Sequence, residues 1–80
     1  MFFVYILKSK RDGRLYKGLS NNLERRLKEH NSGKHKSTKA YKPWKLVYKE
    51  EYNSREKARI REKFFKSGEG RELLKKILDS

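Results

Sequence analysis

Residues Phe2 to Leu7 form an unbroken apolar run rich in aromatic and β-branched side chains, the pattern of a central strand covered on both faces. The polar Lys10-Arg11-Asp12-Gly13 then turns the chain, and because Asp-Gly is a strong hairpin signal, Arg14 to Leu19 reads as the returning strand. Ser20, Asn21 or Asn22 can cap a helix whose apolar positions are Leu23 and Leu27 and which stops near Asn31-Ser32-Gly33. No periodicity runs through Lys34 to Pro43, which reads as a basic loop. Trp44 to Tyr52 alternates as a third strand, with Trp44, Leu46 and Tyr48 expected on one face. Ser54 caps a second helix to about Lys66. Ser67-Gly68-Glu69-Gly70 then breaks the pattern before a last amphipathic helix carrying Leu73, Leu74, Ile77 and Leu78. The order ββαβαα predicts one α/β or α+β domain over residues 1–80, on a small sheet whose first pair is antiparallel.

Composition narrows the class. With 34% hydrophobic and 41% charged residues the core must be small, although nine of the ten aromatics are Phe or Tyr, which bury large areas each. The absence of cysteine excludes a disulfide framework and thiolate metal sites, and suits a reducing compartment. The run Phe2 to Leu7 is too short for a signal-peptide core or a membrane span and no cationic leader precedes it, so a cytoplasmic protein is expected. A net charge of +13 exceeds what solubility requires and points to a polyanion. The basic residues are scattered along the chain instead of lining one amphipathic helix, which favours nucleic acid over a membrane surface.

Three places carry candidate chemistry. A four-residue loop at 10–13 pairs Leu7 with Tyr16, so Tyr5, Tyr16 and Gly18 share a face, the two tyrosines lie diagonally within roughly 7 Å, and Gly18 leaves a notch for a phosphate. The alternative is that both tyrosines are core aromatics with hydroxyls satisfied at the sheet edge. On the first helix Arg26 and His30 fall one turn apart on the flank of the Leu23/Leu27 stripe, placed to share an anion, whereas Arg25, Lys28 and Glu29 point outward. The alternatives are a snorkelling arginine and a helix-terminal histidine favoured by the dipole. On the second helix Glu62 falls between Ala58 and Phe65 on the inner face, where a carboxylate must either pair with a cation or ligate a hard metal ion such as Mg²⁺. Together these groups can supply phosphodiester hydrolysis.

The stretch Phe3-Val4-Tyr5, ten residues, Tyr16-Lys17-Gly18, then Leu23-Glu24-Arg25-Arg26-Leu27 and His30-Asn31-Ser32-Gly33, resembles the GIY-YIG nuclease domain. Lys42-Pro43-Trp44, Leu46-Val47-Tyr48 and Ala58 through Arg61-Glu62-Lys63 to Lys66-Ser67-Gly68 are similar to its short stand-alone bacterial members, which are likened to the N-terminal nuclease domain of excision-repair incision proteins. Phe3 and Val4 stand where the first motif names Gly and Ile, and Lys17 where the second names Ile. The resemblance implies a three-stranded antiparallel sheet flanked by helices and Mg²⁺- or Mn²⁺-dependent cleavage of DNA phosphodiesters. It implies that Tyr5 and Tyr16 are the motif tyrosines, Arg26 the catalytic arginine, His30 a histidine seen in many members and Glu62 the metal-binding glutamate.

A tyrosine with its ordinary pKa near ~10 is a poor base at neutral pH, so Tyr5 or Tyr16 must be tuned or must act by orienting water. Lys17, Gly18, Lys36, Lys39, Lys42 and Lys66 are candidates for nucleic-acid backbone contacts, the alternative for each lysine being a solvated surface. No small-molecule cofactor is expected. With no accessory DNA-binding domain in the sequence, target choice is expected to come from this domain, a homodimer or an accessory protein.

Overall fold

The computed structural model describes residues 1–79 and has the strand and helix order expected from the sequence, with one added turn of helix. Strands β1 (Phe2–Ser9), β2 (Leu15–Ser20) and β3 (Trp44–Tyr52) form an antiparallel sheet in the order β2-β1-β3. The most apolar strand is thus central and β2 is an edge. Leu7 faces Tyr16 and Tyr5 faces Gly18, the register the four-residue turn dictates. Helix α1 (Leu23–Ser32) starts where the Asn22 side chain accepts from the Arg25 amide and ends at Gly33, whose φ is 82°. A single turn, α2 (Lys36–Lys39), lies inside the segment expected to be loop. It is too short for hydrophobic periodicity to reveal.

Because side chains alternate, the sheet has two dressed faces. Val4 and Ile6 pack with Ala58 and Phe65 of α3 (Arg55–Lys66) and Leu74 of α4 (Gly68–Asp79). Tyr5, Leu7 and Trp44 pack on the other face with Tyr16, Leu23, Leu27, Tyr41 and Leu46. Fully burying a side chain such as Phe65 stabilises by about 2 kcal/mol, so each cluster is worth only a few such contributions. Among the described residues no helix is long and apolar enough to cross a membrane.

Two expectations fail for identifiable reasons. Trp44, Leu46 and Tyr48 do not share a face. A register shift between Ile6 and Leu7 pairs Ile6 with Tyr48 but Leu7 with Leu46, so the extra residue moves Tyr48 into the α3 cluster and leaves Trp44 and Leu46 on the α1 face. The glycines of Ser67-Gly68-Glu69-Gly70 do not delay the last helix either, since α4 starts at Gly68 and the Ser67 hydroxyl accepts from the Gly70 amide as its cap. Gly70 serves a close approach: a Cβ there would overlap the backbone of Phe64 at the end of α3.

Candidate active site

The site begins with the two motif tyrosines. Tyr5 is buried on the central strand and Tyr16 half-buried on the edge strand, with ring centroids 6.3 Å apart. The notch expected at Gly18 is filled by the Tyr5 ring: a Cβ on Gly18 would overlap the Tyr5 ring and hydroxyl. Gly18 therefore makes room for a tyrosine, and its lack of a side chain lets the Tyr5 hydroxyl lie across β2.

His30 decides how that hydroxyl is used. It is 1% exposed, with Nε2 3.1 Å from the Tyr5 hydroxyl and Nδ1 2.8 Å from the Thr38 hydroxyl. Thr38 has the His35 carbonyl, 3.4 Å away, to receive its own proton. The network thus assigns hydrogen to Nδ1, leaves Nε2 as an acceptor, and makes the Tyr5 hydroxyl a donor to it. Burial first, then the neighbouring His35 and Arg26 charges, lower the His30 pKa to about 4. A buried neutral imidazole does not share an anion with Arg26. It holds Tyr5.

Arg26 sits beside this pair, and its charge opposes the rise in both tyrosine pKa values. Its Nη1 lies 3.1 Å from Glu29 Oε1 and 3.2 Å from His35 Nε2, and His35 Nε2 is 3.1 Å from the same carboxylate oxygen. The two contacts of His35 Nε2 are alternatives, donation to Glu29 or acceptance from Arg26. Glu29, expected to point outward, is instead the hub of this corner, with Arg25 and Lys34 also within 3.8 Å. Hydrogen bonds from His35 and then Arg26 lower the Glu29 pKa to about 2. The hub holds the guanidinium in place while leaving its side chain 36% exposed.

Glu62 arrives from α3, which packs on the opposite face of the sheet, yet its charge raises the pKa of both Tyr5 and Tyr16. Glu62 is 7% exposed, and its cationic neighbours are Arg59 at 3.3 Å and Lys66 at 3.5 Å, both with side chains more than half exposed. Of the two alternatives for an inward carboxylate, the pairing with cations is present, and those cations are exposed. Burial is the main cause that raises both phenols, with Tyr16 and Glu62 adding at Tyr5 and Glu62 adding at Tyr16. The protein groups alone keep both hydroxyls protonated at neutral pH. Tyr16 differs in one respect: its hydroxyl has no protein hydrogen-bond partner among the described residues.

The donor set suits one kind of metal ion. No group of three or more His, Cys, Asp and Glu side chains converges among the described residues. A closed protein cage for a transition metal is thus not what these residues build. A hard cation held by one carboxylate, waters and substrate phosphate oxygens fits the lone buried Glu62.

The GIY-YIG catalytic domain family model matches residues 1–76. The chain belongs to the GIY-YIG family. A UPF0213 protein of Clostridium perfringens is 48% identical over 67 residues, 82% of this chain and 71% of that protein. One of Staphylococcus haemolyticus is 42% identical over 76 residues, 94% of this chain and 92% of that one. The solution NMR structure of a UPF0213 protein from Bacillus halodurans matches with a TM-score of 0.58 at 37% identity, covering 96% of this chain and 85% of that one.

Within this GIY-YIG chain the expected residues divide. Tyr5, Tyr16, Arg26 and His30 lie together, and Glu62 acts on the two tyrosines through its charge from α3, whereas Lys17 points from β2 to the α3/α4 face, away from the tyrosines. Lys39 and Lys42 approach each other at Gly33, beside the carbonyl end of α1, and Lys36 is exposed on α2. Lys66 stands at Glu62. Sequence reasoning missed Thr38, His35, Glu29 and Asn31. The Asn31 side chain donates to the Trp44 carbonyl and accepts from its amide, and the Trp44 indole donates to the Thr38 carbonyl, tying α1, α2 and β3 together behind His30. For His35 and Thr38 the only sequence signal was polarity in a segment without periodicity, and for Glu29 and Asn31 helical spacing gave a position on α1 but no partner.

Proposed function

We propose that this protein is a divalent-metal-dependent endonuclease that hydrolyses DNA phosphodiester bonds, acting in the cytoplasm in DNA repair or recombination. The observation that carries the reading is a nine-tenths buried carboxylate, Glu62, whose field falls on two protonated tyrosines beside a positioned arginine. Glu62 would hold Mg²⁺ or Mn²⁺, and such an ion, when bound, supplies Lewis-acid stabilisation of charge at the scissile phosphate. Arg26, held by Glu29 and His35 and open to solvent, meets the phosphoryl oxygens, where it stabilises the negative charge that builds up in the transition state. Tyr5 has its proton directed at His30, which leaves its oxygen free to accept from Arg26 and so to help aim the guanidinium. Tyr16, whose hydroxyl is not spent on the protein, orients the attacking water. Neither phenol is a standing base at neutral pH, and both act by hydrogen bonding.

The net charge of +13 supplies the affinity for the polyanion, and target choice comes from this domain, a second copy or an accessory protein. The test is a cleavage assay over labelled duplex, branched and single-stranded DNA with Mg²⁺, with Mn²⁺ and with a chelator. Cleavage that requires the added ion is expected on at least one substrate. No cleavage of any of them would leave a nucleic-acid-binding module in place of a nuclease.

A further inference from the structure

Part of the +13 charge gathers beside the edge strand. Beside β2, on the face away from Tyr5 and Tyr16, runs an open groove of about 500 Å³ whose lining includes Lys8, Lys17, Arg71 and Lys75. Lys8 and Lys17 share this face because Lys17 pairs with Ile6, and Ile6 and Lys8 are both even-numbered residues of β1. Arg71 and Lys75 lie one turn apart on α4 and so point the same way. None of the four has an ion-pair partner among the described residues, and Asp79 is the only carboxylate in the lining. Arg14, which also lines the groove, is already held by Asp12 at 2.8 Å and by the Tyr41 ring.

Lys17 is the informative member. It is half-buried, and its neighbouring charges are Arg71 and Lys66, so like charges crowd it where water screens least. Burial first, then those two cations, lower its pKa. Like charges gathered without counter-charge destabilise a fold by mutual repulsion. Lys66 also stands 3.5 Å from Glu62, so cations run from the active-site carboxylate to Lys17 and on to α4. The edge strand separates the groove from the tyrosines by the thickness of the sheet.

We propose that this groove is a second anion site that holds a backbone phosphate of the same nucleic acid, away from the scissile bond. The assignment rests on the nucleic-acid reading above and extends it: the strand crosses the β2 edge past Lys66 and is gripped by Lys17 and Arg71. The chemistry recognised is a phosphodiester monoanion, which a free polyphosphate would mimic.

The experiment measures duplex DNA binding against salt for the wild type, for Lys17→Gln/Arg71→Gln, and for a control pair of exposed lysines elsewhere, Lys28→Gln/Lys57→Gln. Thermal melts accompany it, and the groove pair should melt no lower than wild type because it relieves repulsion. Two lost phosphate contacts should make the slope of log K against log salt shallower by about 1.8, with the control pair changing it far less. An equal slope change in both pairs would reduce the groove to general charge and overturn the proposal. Inorganic pyrophosphate, followed by amide shifts at Lys17 and Arg71, separates the sources. Pyrophosphate binding lost in the groove variant while its DNA slope stays at the wild-type value would assign the groove to small phosphates and overturn the backbone site. The DNA slope is read without turnover, so a wild type that never cuts but loses slope with the groove pair removes the nuclease reading and keeps the groove.

Discussion

The molecule contains two sets of four residues, each made of two tyrosines, a glutamate and an arginine. Tyr48, Tyr52, Glu50 and Arg61 form one set, and Tyr5, Tyr16, Glu62 and Arg26 the other. In the first, the Glu50 carboxylate accepts from both tyrosine hydroxyls at 2.6 Å and from Arg61 at 2.8 and 3.1 Å, so every strong group is consumed by another member. The hydrogen bonds from Arg61, Tyr48 and Tyr52 lower the Glu50 pKa against a burial that would raise it. In the second set, among the described residues, Arg26 reaches the Tyr5 hydroxyl and the members otherwise take their support from outside the set. Tyr5 is held by His30, Arg26 by Glu29 and His35, Glu62 by Arg59 and Lys66, and Tyr16 by ring contacts alone. Four polar groups that neutralise one another make a structural staple. The same kinds of group, supported mainly from outside the set so that they do not neutralise one another, keep their capacity for a substrate.

This contrast makes opposite predictions for the two sets. Glu50→Ala strands Arg61 and two hydroxyls, so it should cost about 3 kcal/mol in denaturant unfolding. Its folded fraction should keep cleavage within about twofold of wild type, since a group remote from the reacting atoms adds nothing to the transition state. Lost cleavage with an intact fold would break the division of roles. Smaller, and sharper, is Thr38→Val, which removes the acceptor of His30 Nδ1–H and should cost about 1 kcal/mol. Freed of that bond, His30 can turn its tautomer round and the Tyr5 hydroxyl can reverse, so cleavage should fall roughly tenfold, with Thr38→Ser restoring it. Nitrogen chemical shifts of His30 read the tautomer directly, and an unchanged tautomer in the Val variant would contradict the assignment.

The smallest effect is a pH dependence. The folded His30 pKa of about 4 lies below its ordinary 6.5, so between these values the unfolded chain binds the extra proton. Stability should be level above pH 7 and lower by about 1 kcal/mol at pH 5.5, a loss absent from His30→Asn. Glu29, with its folded pKa near 2, contributes stability that is present above its ordinary 4.5 and lost only as pH falls toward 2, so it does not confuse that window. Urea titrations at pH 7.5 and 5.5 on the two proteins make the comparison.

How much was legible in the sequence follows from the range of each interaction. The Asp12-Gly13 turn sets the register of β1 and β2 locally, so the shared face of Tyr5 and Tyr16 could be read from residue parity. The inward position of Glu62 followed equally from helical spacing around Ala58 and Phe65. The bulge opposite Ile6 and Leu7 was invisible, since no Gly or Pro announces it and it depends on the pairing of strands nearly forty residues apart in sequence. The supports of the site were invisible for a related reason. Thr38, His35 and Asn31 act through hydrogen bonds across a segment with one turn of helix, and no periodic pattern encodes such bonds. Gly18 was singled out correctly as a place of close approach, but what approaches it is Tyr5, a fact of packing that the glycine alone does not reveal.

The division between the two sets is read out by Glu62→Gln and Glu50→Gln, measured side by side for metal-dependent DNA cleavage and for thermal melting. Glu62→Gln keeps the shape, and because Arg59 and Lys66 are more than half exposed it strands no buried cation, so its melting temperature should stay within a few degrees of wild type. Its cleavage should fall at least about 100-fold while DNA affinity holds or rises slightly. Glu50→Gln should melt lower and cut normally. A well-folded Glu62→Gln protein that cuts DNA at the wild-type rate would contradict the account.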